Sequence, residues 1–157
     1  MTTLHMTYKT IQIVFFLFST LYTKAQVVKN FKPCGDGVFY PYYNNRLSYT
    51  PDFYLVKNHF KSNYNDIDYK NTANNTGMIH IVFSVNCKGE TGNYSIDTFD
   101  YDYKYCTIND AIKEKLLKLT QELKIWQSIN ENQKIQNFHK YFIFKIKNGS
   151  LTEILLK

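Results

Sequence analysis

Residues Ile79 to Asn86 alternate strictly, with Ile79, Ile81, Phe83 and Val85 on one side and His80, Val82, Ser84 and Asn86 on the other. Successive side chains of a strand point to opposite faces, so the pattern predicts an extended segment with one wholly apolar face turned to a core. Cys87-Lys88-Gly89-Glu90-Thr91-Gly92 follows as a turn with two glycines, and Asn93–Phe99 then places Tyr94, Ile96 and Thr98 on one face. Two such runs joined by a short glycine-containing turn predict an antiparallel hairpin. A sheet with one greasy side needs a second layer to cover it.

Two helices are available for that layer. Thr50 is a favourable N-cap and Pro51 suits a first helical position, which predicts a helix over Pro51–Lys61 with Phe53, Val56 and Phe60 at helical spacing and Leu55 beside them. A second helix is predicted from about Ile108 to Leu123. Thr107 caps it and Asp110 stands three residues on, as in a capping box with Asp in place of Glu. Ile108, Ala111, Ile112, Leu116, Leu119 and Leu123 form its continuous apolar stripe. Trp126 extends the stripe just past the end and reads as a core plug rather than a ligand platform.

Phe138–Lys147 is a further strand, with Phe142, Phe144 and Ile146 on one face. Asn148-Gly149 is the strongest short hairpin signal in the chain, and Ser150–Leu156 is the returning strand. Ser62–Gly77 and residues 127–137 are polar connections. The order helix, hairpin, helix, hairpin predicts an α+β two-layer sandwich: an antiparallel sheet of about four strands with two helices on one face. The predicted core is Ile79, Ile81, Phe83, Val85, Ile112, Leu116, Leu119, Leu123, Trp126, Phe142 and Phe144. This domain occupies residues 51–157. Residues 26–50 read as an irregular segment, with a turn at Cys34-Gly35-Asp36-Gly37 and an aromatic loop, or a short extended piece before Pro41, at Tyr40–Asn45.

Residues 1–25 have the form of an export signal. Lys9 precedes an apolar run, Ile11–Tyr22, and Thr23-Lys24-Ala25 supplies a small-residue cleavage site, placing the cut after Ala25. A dozen helical residues reach about 18 Å, short of the roughly 30 Å of hydrocarbon an uncleaved anchor must cross. The expected location is therefore periplasmic or secreted, without a stable membrane anchor. Losing Lys9 and Lys24 lowers the formal charge from +6 to +4. The remaining lysines form no clustered patch, which argues against nucleic acid as a partner. The fourteen tyrosines reflect coding bias and strand propensity.

Three cysteines follow the signal: Cys34, Cys87 and Cys106. An exported compartment permits disulfides. Cys87 sits at the turn end of the first hairpin. Cys106 follows a strand of about seven residues running roughly 23 Å the other way, far beyond the about 7 Å that a disulfide allows between Cα atoms. Unless residues 100–105 double back, the expected bond is Cys34–Cys87, with Cys106 reduced and the irregular segment pinned to the sheet.

Few residues suggest chemistry. His59, His80 and His139 have no metal spacing with Cys, Asp or Glu, and His80 lies on the strand face opposite the core. Asp100 and Asp102 begin like a calcium loop, but Lys104 stands at the fifth position and the glycine is absent. No nucleophile elbow, phosphate loop or zinc motif occurs. The reading includes no cofactor and no metal.

The region from about Phe53 to the C-terminus resembles the C-terminal domain of TonB-like proteins. Gly77-Met78-Ile79-His80-Ile81-Val82-Phe83-Ser84-Val85-Asn86, followed by Gly89, is similar to that family's glycine, first strand and turn glycine. Leu116–Trp126 resembles its second helix ending in tryptophan, and Tyr141-Phe142-Ile143-Phe144-Lys145 its last strand. Asn86–Gly92 also resembles secreted TonB-like proteins of Bacteroidetes. The chain departs from the family in having Gln127-Ser128-Ile129 after the tryptophan and only three prolines, too few for a periplasm-spanning linker. The resemblance implies a non-catalytic protein-binding or coupling module whose partner is another cell-envelope protein. In such domains partners add to the exposed edge of the last long strand; here Ser150–Leu156 is expected to fill that edge. Two other readings remain: a small secreted enzyme or inhibitor with a pocket lined by His80, Tyr40, Tyr42, Tyr43 and Tyr49, and a glycan-contact protein using the Tyr-rich loops at 40–49 and 101–105.

Overall fold

The structure is a computed structural model, and it describes residues 30–41, 53–126 and 137–156. The expected export signal, the Thr50-Pro51 helix start, Tyr42, Tyr43, Tyr49 and all but Asn137 of the connection expected at 127–137 lie outside the described residues. The chain forms β1 (Phe39–Tyr40), α1 (Phe53–Asn63), a 3-10 turn (Asp66–Asp68), β2 (Gly77–Val85), β3 (Thr91–Phe99), α2 (Asp110–Glu122), β4 (Asn137–Lys147) and β5 (Ser150–Leu156). The class is α+β.

β2 is the central strand. It pairs antiparallel with β3 on one side and with β4 on the other, in unbroken register from Gly77↔Ile146 to Val85↔Phe138. β5 returns antiparallel along the far side of β4, from Lys147↔Ser150 to Phe142↔Leu156. Asn148 and Gly149 make that reversal with φ of 49° and 76°, the two left-handed residues that an Asn-Gly hairpin turn requires. Gly149 is buried, and a Cβ there would collide with the Tyr69 carbonyl. The hairpin tip is tied down further, as the Gly149 amide donates to Asn75 O and the Tyr64 hydroxyl donates to Gly149 O, both at 2.8 Å.

The sheet differs from the expected one in a single respect. It has five strands and is mixed, because β1 lies parallel to β4 at Phe39↔Asn137 and Tyr40↔Phe138. Two residues are too short to leave a period-2 signature, and what holds them is distant: the Asn137 side chain and the Cys34–Cys87 bond. The start of α2 also differs. Asn109, not Thr107, is the N-cap, its side chain accepting from the Ala111 amide. Ile108 is fully buried just before the helix, so its burial precedes the first helical turn.

One apolar cluster joins both helices to one side of the sheet. The alternating residues Ile79, Ile81, Phe83 and Val85 of β2 are at most 2 % exposed. They meet Phe142, Phe144 and Ile146 of β4, Val56 and Phe60 of α1, and Ile112, Leu116 and Leu119 of α2. The Phe60 ring stands edge-on to Phe144 at 4.8 Å and to Phe142 at 5.5 Å. Leu123 and Trp126 close one end, the indole edge-on to Phe83 at 5.3 Å. The helices are joined where His59 Nε2 meets Leu119 O at 3.0 Å.

Candidate functional site: the helix-free face of the sheet

Pleating leaves a second face, built from the residues between those of the core. The register lays out its rows. Met78 lies between Phe99 and Lys145, His80 between Asp97 and Ile143, Val82 between Ser95 and Tyr141, and Ser84 between Gly92 and His139. β5 adds Glu153 beside Lys145 and Leu155 beside Ile143.

The two outer rows are covered. At one end the chain after β3 doubles back, with Tyr105 bridged antiparallel to Phe99 and the Tyr101 hydroxyl donating to Ile146 O at 2.6 Å. Met78 is buried in that row. At the other end the segment before β1 lies over the sheet. Phe31 packs on Gly92, where any Cβ would clash with its ring, and Phe39 stacks on His139 at 4.9 Å with a 19° tilt. Ser84 is buried in that row. Between these ends Val82, Tyr141, Ile143 and Leu155 form a half-buried apolar strip, bordered by exposed Ser95 and Asp97. No described helix covers it.

The covering segment at the second end is fixed by three devices. Cys34 is bonded to Cys87, with Cα atoms 5.9 Å apart. The buried Asn137 side chain holds Cys34 and Val38. The buried Asn86 side chain donates to Lys32 O at 3.0 Å and its Oδ1 accepts from the Lys88 and Glu90 amides. Neither asparagine was conspicuous in the sequence, because a lone amide at a strand end has no pattern. Cys106 is free. Residues 100–105 do double back, but only as far as Thr98, whose hydroxyl donates to Cys106 O. The thiol therefore sits against Gly77, at the opposite end of β2 from Cys87, and burial raises its pKa.

His80 occupies the middle of the face. Burial lowers its pKa, partly opposed by Asp97 across the strand pair, and its Nε2 is buried without a partner among the described residues. Its ring packs on Phe99 at 4.8 Å. Tyr40 belongs to the other side, where it packs against the core cluster. Of the residues expected to line a pocket, His80 and Tyr40 project from opposite faces of the sheet, and Tyr42, Tyr43 and Tyr49 lie outside the described residues. The Asp100 carboxylate is occupied as a turn cap, accepting from the Asp102 and Lys104 amides at 2.9 Å each. Among the described residues no group of three or more His, Cys, Asp and Glu side chains is placed to hold a metal, and no described helix is long and apolar enough to cross a membrane.

The chain matches no protein-family model, no curated protein and no solved structure.

Proposed function

We propose that this chain is an exported, non-catalytic module of the cell envelope, related in design to the C-terminal domain of TonB-like proteins, and that it binds another envelope protein through the helix-free face. The observation that carries the reading is the asymmetry of the sheet: one face is sealed by two helices, and the other keeps the strip Val82, Tyr141, Ile143 and Leu155 half-exposed. A contiguous apolar strip rimmed by polar residues is the usual mark of a contact surface. The Cys34–Cys87 bond is compatible with an oxidising, exported location. β5 occupies β4 from Phe142 to Lys147, so a partner strand has no access there.

The test is recovery of a partner from envelope extract under native conditions. Wild-type protein and a Lys118→Glu variant, altered on the exposed side of α2, retain the same partner. A Ser95→Arg variant, which places a long cation on the strip's border, loses it. No partner with wild-type, or equal recovery by all three, refutes the reading.

A further inference from the structure

β3 ends at Phe99 and the chain reverses at once in a tightly held turn. The Asp100 amide donates to Lys104 O at 2.8 Å and the Tyr103 amide donates to Asp100 O at 3.2 Å. The turn displays Tyr103 and Tyr105 at 72 % and 79 % exposure, with Tyr105 held 4.6 Å from the Phe99 ring. Tyr103 has φ of +62°. That region is disfavoured for a bulky side chain and open to glycine. A turn that only reversed the chain would be better served by glycine there, and an aromatic ring in water gains nothing from burial. Backbone strain and apolar exposure thus fall on the same residue, a pairing found where a side chain is held out for a ligand.

The surroundings define the ligand. Asp97 is exposed two residues before Phe99 on the same face, and Asp102 is exposed between Tyr101 and Tyr103. Lys104 is exposed between Tyr103 and Tyr105 and is outnumbered by Asp97, Asp100 and Asp102, while Lys145 nearby is already paired with Glu153 at 2.7 Å. An anionic membrane surface is repelled by such carboxylates. A proline-rich peptide suits aromatic rings but brings few N–H donors for them. A neutral sugar offers both an apolar C–H face to lie on a ring and a row of hydroxyl donors for carboxylate acceptors.

We propose that the turn from Phe99 to Tyr105 is a carbohydrate-binding shelf, with the Tyr103 and Tyr105 rings under the sugar and Asp97 and Asp102 accepting from its hydroxyls. The shelf lies beyond Val82, Tyr141, Ile143 and Leu155, sharing with the border of that strip only Asp97, and it does not depend on the protein-partner reading. The full chain after export is titrated by 15N-edited NMR with chitohexaose, cellohexaose and, as a rival, a decaproline peptide. At least one hexasaccharide shifts the amides of residues 97–105, and Tyr105→Ala weakens that binding about tenfold or more. Tyr103→Gly weakens it similarly while raising the thermal midpoint by a few degrees, because the strain is released. The proposal is overturned by failure of both sugars to shift the wild-type spectrum, by sugar binding that survives Tyr105→Ala, by binding of decaproline alone, or by a lowered midpoint in Tyr103→Gly.

Discussion

Asn137 grips Cys34 through both atoms of its side-chain amide: Oδ1 accepts from the Cys34 amide at 2.8 Å, and Nδ2 donates to the Cys34 carbonyl at 3.0 Å. Nδ2 also donates to Val38 O at 3.0 Å. The disulfide to Cys87 leaves from the residue held in this way, so the covalent and the hydrogen-bonded ties act at one point. Together they set β1 against the start of β4 and hold Phe31 and Phe39 over the helix-free face.

Asn137→Ala removes three hydrogen bonds at a position that is only 1 % exposed. The expected loss is about 2–3 kcal/mol, since unsatisfied buried backbone groups cost about 1–3 kcal/mol each and part of the segment regains water. Asn137→Asp is expected to be at least as harmful, because a carboxylate cannot donate to the two carbonyls. Urea unfolding followed by the fluorescence of Trp126, the one tryptophan in the chain, reads both losses.

Reducing the Cys34–Cys87 bond, or replacing both cysteines with serine, opens a constraint between residues 53 apart in sequence. Loop-closure entropy for a separation of that order corresponds to about 4 kcal/mol. The denaturant midpoint is expected to fall accordingly, whereas Cys106→Ser, away from the bond, leaves the reduced and oxidised midpoints as far apart as before. Peptide mapping without reduction should recover the 34–87 pair; a fragment linking Cys87 to Cys106 would contradict the structure.

Stability should fall at both ends of the pH scale, for opposite reasons. Burial, followed by Tyr69 and Asp66, raises the pKa of Tyr64 far above that of an ordinary phenol, while its hydroxyl donates to Gly149 O. The unfolded chain loses this proton first, near pH 10. Stability is therefore full below that pH and is lost as the pH rises towards the folded value. His80 is shifted downward by burial. The unfolded chain protonates it near pH 6.5, so its contribution is full above that pH and lost as the pH falls through the lower folded value. Tyr64→Phe flattens the alkaline limb at a cost of about 1 kcal/mol at neutral pH, from the lost hydrogen bond. His80→Gln flattens the acid limb. Unchanged limbs in these variants would show that the two groups do not carry the effect.

The strands and helices were legible because each carries a pattern long enough to be periodic. The alternation of Ile79 to Val85, the α2 stripe and the Asn148-Gly149 turn each determine an element from local residues alone. The Cys34–Cys87 pairing was legible from strand length and disulfide reach. What was hidden depends on partners distant in sequence. The short extended piece before Pro41 was one reading of the sequence, but its parallel pairing with β4 depends on Asn137, about a hundred residues away. The α2 cap moved from Thr107 to Asn109 because Ile108 is drawn into the core before the helix begins. That His80 and Tyr40 lie on opposite faces is visible only once β1 is placed: the parallel register puts Tyr40 beside Phe138, on the core side.

The Trp126 side chain is 8 % exposed and its indole N–H is buried without an acceptor among the described residues. Trp126→Ala leaves a cavity over Phe83 and Phe142, at an expected cost of about 3–5 kcal/mol. Trp126→Phe keeps most of the contact and discards the unsatisfied donor, so its cost should be well under half of that. Thermal unfolding followed by circular dichroism compares the two, and losses small in both variants would place the indole outside the core.

The face left open by the helices is the centre of the functional reading, and a positional crosslink examines it most directly. With a benzoylphenylalanine photocrosslinker at Ser95, irradiation in the envelope should yield one dominant adduct of defined mass. The same probe at Lys118 on α2 should yield none. Adducts from Lys118 but not Ser95, or none from either in folded protein, would contradict it.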